Sequence, residues 1–231
     1  MKKKILITIL IIVVILLAVV GYFLISDFVQ EGKLRTEILE INELSNTEPI
    51  NIEAINERLE RTLTKGDYKE VETAFKQYLK DTFKNIMELT NILNDEKITT
   101  LLTAKNYKED GKDFTESKEY IATTKAKLED CKAKYTEFLT EEKAMSYIQD
   151  KGLDSYYIDF YKQEFVGDMN AEENDGVVEN SIDEIIALLD TSNKVLDLLS
   201  KNQNGWKMDG DTIVFNSESL SNEYDNLVNS L

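Results

Sequence analysis

The chain has 231 residues with a formal charge of -17 and 42% apolar side chains, enough for a membrane segment and one domain of ordinary size. Setting aside Lys2, Lys3 and Lys4 deepens the charge of the remainder to -20, a field that repels phosphate backbones and anionic head groups and so excludes nucleic acid as a partner. Only Arg35, Arg58 and Arg61 are Arg, so the planar fork that reads phosphate or carboxylate is nearly absent, and the preference for Lys, Asn and Ile over Arg, Pro and His has the character of a low-GC bacterial coding bias.

The first element in chain order is Ile5 to Ile25, an uncharged run of twenty-one residues behind the lysine triplet. At about 1.5 Å per residue it spans roughly the 30 Å of bilayer hydrocarbon, the length of a transmembrane helix. A cleaved signal peptide would have a shorter apolar region and a small-x-small cleavage site; Gly21 and Ser26 mark poor candidates, and no cysteine nearby permits a lipoprotein anchor. The positive-inside rule keeps the lysines cytoplasmic and sends Asp27 onward outside. The expected organisation is a cytoplasmic stub (1–4), an anchor (5–25), a stalk or linker helix (26–49) and an extracytoplasmic bundle (50–231).

Leu34, Ile38, Ile41 and Leu44 recur at helical spacing and predict a helix along the stalk. Pro49, the only proline, interrupts it. A short helix should follow with Ile52, Ile55, Leu59 and Leu63 on one face, closed by Lys65-Gly66-Asp67. A long helix from Asp67 to Leu93 carries Tyr68, Val71, Phe75, Tyr78, Leu79, Phe83, Ile86 and Leu93 as its apolar stripe, with Glu72 and Lys76 expected as an i, i+4 pair on the solvated side. Beyond a broken stretch with Ile98, Leu101 and Leu102, Lys108 to Asp113 reads as a polar turn, and Gly111 and Asp113 should open a second long helix. There Phe114, Ile121, Leu128 and Tyr135 repeat every seven residues, interleaved with Ser117, Thr124, Cys131 and Phe138, a seam for packing against other helices.

Thr140 should cap a short helix ended by Gly152. The segment Leu153 to Phe165, with Tyr156, Tyr157, Phe160 and Tyr161, is the most aromatic of the chain. It reads as a helix closing one end of the bundle in preference to a surface gripping a sugar or peptide. After a loop from Gly167 to Gly176, a third strong helix bears Ile182, Ile185, Ile186, Leu189, Val195, Leu196 and Leu199. The period then changes: Trp206 to Met208, a turn at Asp209-Gly210, and Thr212 to Phe215 predict a β-hairpin at about 206–215, docked through Trp206, Ile213 or Phe215. Asn216 to Ser219 should cap a terminal helix with Leu220, Tyr224, Leu227 and Val228. The expected fold is therefore mainly α, a single N-terminal transmembrane helix followed by an exported helical bundle with a small hairpin and a terminal helix.

The absence of histidine removes Ser-His-Asp and Cys-His nucleophiles and imidazole zinc sites. No serine has a lysine three residues on, and neither a phosphate-cradling loop nor a Gly-x-Gly-x-x-Gly turn occurs. Cys131, the sole cysteine, forms no intramolecular disulfide and reads as a buried thiol. A glycosidase needs only two acids, but the sequence nominates none. Asp168, Asn170, Glu172, Asn174 and Glu179 match EF-hand ligand offsets, yet Glu173 stands where the sharp turn needs glycine, so a solvated loop capping the next helix accounts for them better. No catalytic, metal or cofactor residue is nominated. The expected function is a non-enzymatic interaction or structural module of a bacterial cell envelope, with the membrane, through residues 5–25, and a protein or envelope component as partners. The alternative is an exported ligand- or calcium-binding or sensing subunit working with a partner membrane protein.

Overall fold

The computed structural model describes residues 29–45, 51–167 and 176–231. The expected membrane span Ile5–Ile25, the proline turn and most of the Asp168–Glu179 loop lie outside them. Among the described residues no helix is long and apolar enough to cross a membrane. The described residues are mainly helical, with a two-stranded antiparallel hairpin near the C-terminus and a terminal helix. The described residues divide into two compact units, those up to Glu88 with those from Ala133 to Val178, and Leu89–Lys132 with Glu179–Leu231.

Unit 1 contains α1 (Val29–Ser45), α2 (Ile52–Glu60), most of α3 (Asp67–Leu93), α7 (Glu141–Ser146) and α8 (Ser155–Tyr161), which runs into a π-helical turn at Lys162–Val166. The stripe on α1 is used: Leu34, Ile38 and Ile41 are buried. Asn51 caps α2 by accepting from the Ala54 N–H at 3.0 Å, and the helix ends at Glu60, so Leu63 lies beyond it and not on its face as expected. The reason is local: the Leu63 and Thr64 backbone N–H groups turn out of the helix to donate to Glu72, at 3.0 Å and 2.9 Å. The α3 bounds coincide with the sequence reading, and Val71, Phe75, Tyr78, Leu79 and Ile86 are buried.

Thr140 caps α7 with its hydroxyl accepting from Lys143 N–H. Gly152 closes the following 3-10 turn (Gln149–Lys151) in the left-handed region, φ 69°, which glycine adopts without steric penalty. In α8 and its π-helical extension Phe160, Tyr161, Phe165 and Val166 are buried, Phe165 stacking on Phe75 with ring centroids 4.4 Å apart. Buried phenols find acceptors: Tyr78 donates to the Phe138 carbonyl at 2.8 Å and Tyr161 to the Ala144 carbonyl at 3.0 Å, avoiding the penalty of an unpaired buried hydroxyl.

Unit 2 holds α4 (Glu96–Thr100), α5 (Ala104–Glu109), most of α6 (Thr115–Phe138) and of α9 (Val177–Lys201), the hairpin strands β1 (Trp206–Asp209) and β2 (Thr212–Phe215), and α10 (Glu218–Val228). Both seven-residue series on α6 face inward: within this unit Phe114, Ser117, Ile121, Thr124, Leu128 and Cys131 are all buried. The expected start at Gly111 and Asp113 is corrected. Asp110 accepts the Glu116 and Ser117 N–H groups at 3.0 Å and 2.8 Å, so the carboxylate that caps α6 stands earlier in the chain. Phe114 then bridges cap and helix in the left-handed region, φ 53°.

Lys118, Lys125 and Lys132 on α6 pair with Asp197, Asp190 and Asp183 on α9, each step of seven along one helix answered by a step of seven back along the other. Opposite charges at that spacing fix an antiparallel register, as flanking positions do in coiled coils. The hairpin pairs Trp206 with Phe215 and Asp209 with Thr212, so its two-residue turn is Gly210-Asp211, one residue later than expected. Gly210 takes φ 60°, the position that a tight hairpin turn reserves for glycine. Trp206 docks the hairpin, 5% exposed, its indole N–H donating to the Leu199 carbonyl at 2.8 Å.

Candidate functional site

Two polar clusters in unit 1 hold most of its buried ionisable groups. The first surrounds Lys76, whose ammonium donates to Glu37 at 2.9 Å and to the Arg58 and Arg61 carbonyls at 2.8 Å and 2.9 Å, and pairs with Glu72 at 2.8 Å. The expectation that Glu72 and Lys76 face water is therefore corrected: they are 1% and 4% exposed. An i, i+4 pair has the same spacing whether it meets water or another helix, and here α1 brings Glu37 against it.

Glu37, itself fully buried, also accepts from Arg58 at 3.1 Å and from both the Nε (2.9 Å) and terminal nitrogens of Arg61. Glu40 shares the two guanidinium groups on the outer side. Three carboxylates thus meet three cations. Burial works against ionisation of Glu37, but hydrogen bonds from Arg61 and Lys76 outweigh it and hold the carboxyl below its usual range. Glu72 is likewise lowered: burial is overcome by Lys76 and by the Thr64 hydroxyl and N–H. Ionised, saturated with donors and locked by packing, neither carboxylate is free to shuttle a proton. An open groove of ≈ 410 Å³ runs beside the cluster, lined by Gly32, Lys33, Thr36, Glu37, Glu40 and Leu63.

The second cluster joins the first turns of three helices. Glu31 of α1, 1% exposed, accepts from the hydroxyls of Tyr68 of α3, at 2.9 Å, and Tyr156 of α8. The two phenol oxygens lie 3.3 Å apart. Burial, together with hydrogen bonds to Tyr156 and Glu31, raises the Tyr68 phenol, and the bond to Glu31 raises that of Tyr156, so both stay protonated donors. Arg35 of α1 donates to Glu164 in the π-helical turn at 2.7 Å. Burial lifts the Glu164 carboxyl above its usual range; Arg35 pulls against this and the Glu31 charge adds to it.

All three arginines of the chain are thus spent on ion pairs within unit 1. Sequence reasoning noted their scarcity but not that Arg58 and Arg61 converge on Glu37. The available signal was Glu37 itself, a charge inside the apolar series Leu34, Ile38, Ile41, with the other two arginines a short helix away.

Of the calcium-like series, Asp168 to Asn174 lie outside the described residues. Among the described residues no group of three or more Cys, Asp or Glu side chains could hold a metal. Cys131 is fully buried. No protein-family profile matches the chain, and no curated protein or solved structure matches it either.

Proposed function

We propose that this chain is a membrane-anchored, extracytoplasmic helical protein that acts by contact, as a non-enzymatic interaction or structural module of a bacterial cell envelope. The observation that carries the reading is the use made of buried charge: Glu31, Glu37, Glu72 and Lys76 all bond to other groups of the protein. A hydrolase or transferase instead keeps an acid, base or nucleophile poised toward a cleft. The uncharged run Ile5–Ile25 behind three lysines supports the anchor and its orientation, and the lack of histidine supports a role outside catalysis.

Fractionation of cells producing the full chain tests the first half. The protein should stay with membranes through alkaline extraction, and protease added to spheroplasts should digest it from outside. Recovery in the soluble fraction, or protection until lysis, would overturn the placement. Complementation of a deletion strain tests the second half: the full chain should restore the wild-type phenotype and a chain lacking residues 5–25 should not. Full rescue by the untethered chain would refute action by contact at the membrane.

A further inference from the structure

The second cluster sits at the end of unit 1 where α1 begins. Glu31 follows Ile25 by six residues, which even fully extended reach at most about 22 Å. If Ile5–Ile25 spans the bilayer, the Glu31 backbone is held within that distance of the hydrocarbon, and its carboxylate and the two phenols bonded to it lie only a side chain and a hydrogen bond farther. What the fold places there is a patch of tyrosines. Tyr156 is 49% exposed, while Tyr68 and Tyr157 are half-buried. Tyr157 packs edge-on against Tyr68, ring centroids 5.1 Å apart, and against Tyr156 at 5.3 Å.

Two of these rings are fixed in place, because the hydroxyls of Tyr68 and Tyr156 are tied to one buried carboxylate. An apolar body with a polar tip is the property that concentrates tyrosine where hydrocarbon gives way to water. A rigid presentation adds little ordering cost when the patch meets a surface. The exposed charges nearest these tyrosines in sequence are Asp67, Asp154 and Asp159 against Lys65, Lys69 and Lys151, an even balance that suits zwitterionic head groups, while the chain's overall charge of -17 opposes anionic ones.

We infer that the Tyr68-Tyr156-Tyr157 patch rests in the zwitterionic headgroup layer of the bilayer that anchors the chain, holding unit 1 down on the membrane. This rests on the anchored reading above, and the test separates the two. Single tryptophans are introduced into the full chain at Leu16 (L16W), Tyr156 (Y156W) and the neighbouring exposed Ser155 (S155W), and each protein is reconstituted in phosphatidylcholine vesicles. The parent chain, whose only Trp206 is buried, supplies the background. Deep brominated lipid should quench L16W, and lipid carrying a headgroup nitroxide should quench Y156W and S155W beyond the parent. Replacing part of the phosphatidylcholine with phosphatidylglycerol should reduce that headgroup quenching.

If L16W is quenched while Y156W and S155W match the parent, the anchor stands and the headgroup contact is refuted, leaving the tyrosines to a protein partner. If L16W is also unquenched, the anchor fails and this inference with it. Headgroup quenching that increases with phosphatidylglycerol would refute the zwitterionic preference. S155W leaves every tyrosine in place, so a result confined to Y156W would reflect damage to the cluster and would count against the contact.

Discussion

Removing the Lys76 ammonium is the sharpest test of the buried network. Lys76→Met keeps most of the aliphatic stem and deletes the charge, leaving Glu37 and Glu72, with side chains 0% and 2% exposed, without their shared cation. It also leaves the Arg58 and Arg61 carbonyls without that donor. Breaking a buried ion pair from one side costs about 3–5 kcal/mol, because the surviving charge stays desolvated. For a chain of this size that corresponds to roughly 6–20 °C in Tm. Urea and thermal unfolding of the purified full chain in detergent, followed by far-ultraviolet circular dichroism, measure it.

The pH dependence carries the mechanism. In the parent, Glu37 and Glu72 lie below their reference value of 4.5, so their contribution is complete above that pH and is lost as pH falls through the folded-state values. Without Lys76, burial at Glu72 is opposed only by the Leu63 and Thr64 donors, so its carboxyl moves up from where the parent holds it and acid costs the variant less stability than it costs the parent. The gap between parent and K76M should therefore narrow as pH falls from 7 toward 4.5. A loss under about 1 kcal/mol at pH 7 would place the cluster among exposed pairs of little worth, and a gap that widens on acidification would refute the sign.

Reversing one rung of the α6–α9 ladder, Lys125→Glu, should cost about 1 kcal/mol or less because both partners are partly exposed, and the swap Lys125→Asp with Asp190→Lys should recover most of it in urea titrations. Gly205→Ala should destabilise by about 1–3 kcal/mol through overpacking, since its Cβ would stand 2.7 Å from Leu220 Cδ2 and 3.0 Å from the Asn202 carbonyl. Cys131, fully buried, should react with thiol reagents only as fast as the protein unfolds, and rapid labelling under native conditions would contradict its place in the seam. Millimolar calcium should leave the thermal midpoint unchanged, because Glu173 occupies the turn position that an EF-hand gives to glycine; a clear rise would revive the cation-binding alternative.

What the sequence disclosed was set by periodicity. The α3 stripe, the paired seams of α6, the cap at Thr140 and the change to period two at Trp206 each arise from repeating local choices, and each is where expected. Misread features depended on partners outside the segment that carries the period. Leu63 continues the spacing of Ile52, Ile55 and Leu59, but its backbone is claimed by Glu72. Phe114 begins the α6 series yet adopts φ 53°, a conformation costing roughly 1–2 kcal/mol, less than the roughly 3–5 kcal/mol lost on emptying a buried Phe site. Burial therefore wins over backbone preference, and no local rule would have placed it there. The tyrosine cluster is of the same kind: Glu31, Tyr68 and Tyr156 are far apart in sequence, and only the fold brings their first helical turns together.

The attachment of α1 to the rest of unit 1 combines two forces with different tasks. Leu34, Ile38 and Ile41 are 0%, 4% and 1% exposed, and burying such side chains contributes about 1.5–3 kcal/mol each without regard to direction. The polar bonds to Glu31, Arg35, Glu37 and Glu40 are directional and point to α2, α3, α8 and the π-helical turn. Adhesion thus comes mainly from the stripe, while the charges select the helix rotation that puts Glu37 under Lys76 and Glu31 under the phenols. The two variants that separate these tasks are Ile41→Ala and Glu40→Gln. The first should lower unfolding stability by about 2–5 kcal/mol, and the second, at a pair 40% exposed on the glutamate side, by about 1 kcal/mol or less. The reverse ranking would mean that charge, not apolar burial, holds the helix in place.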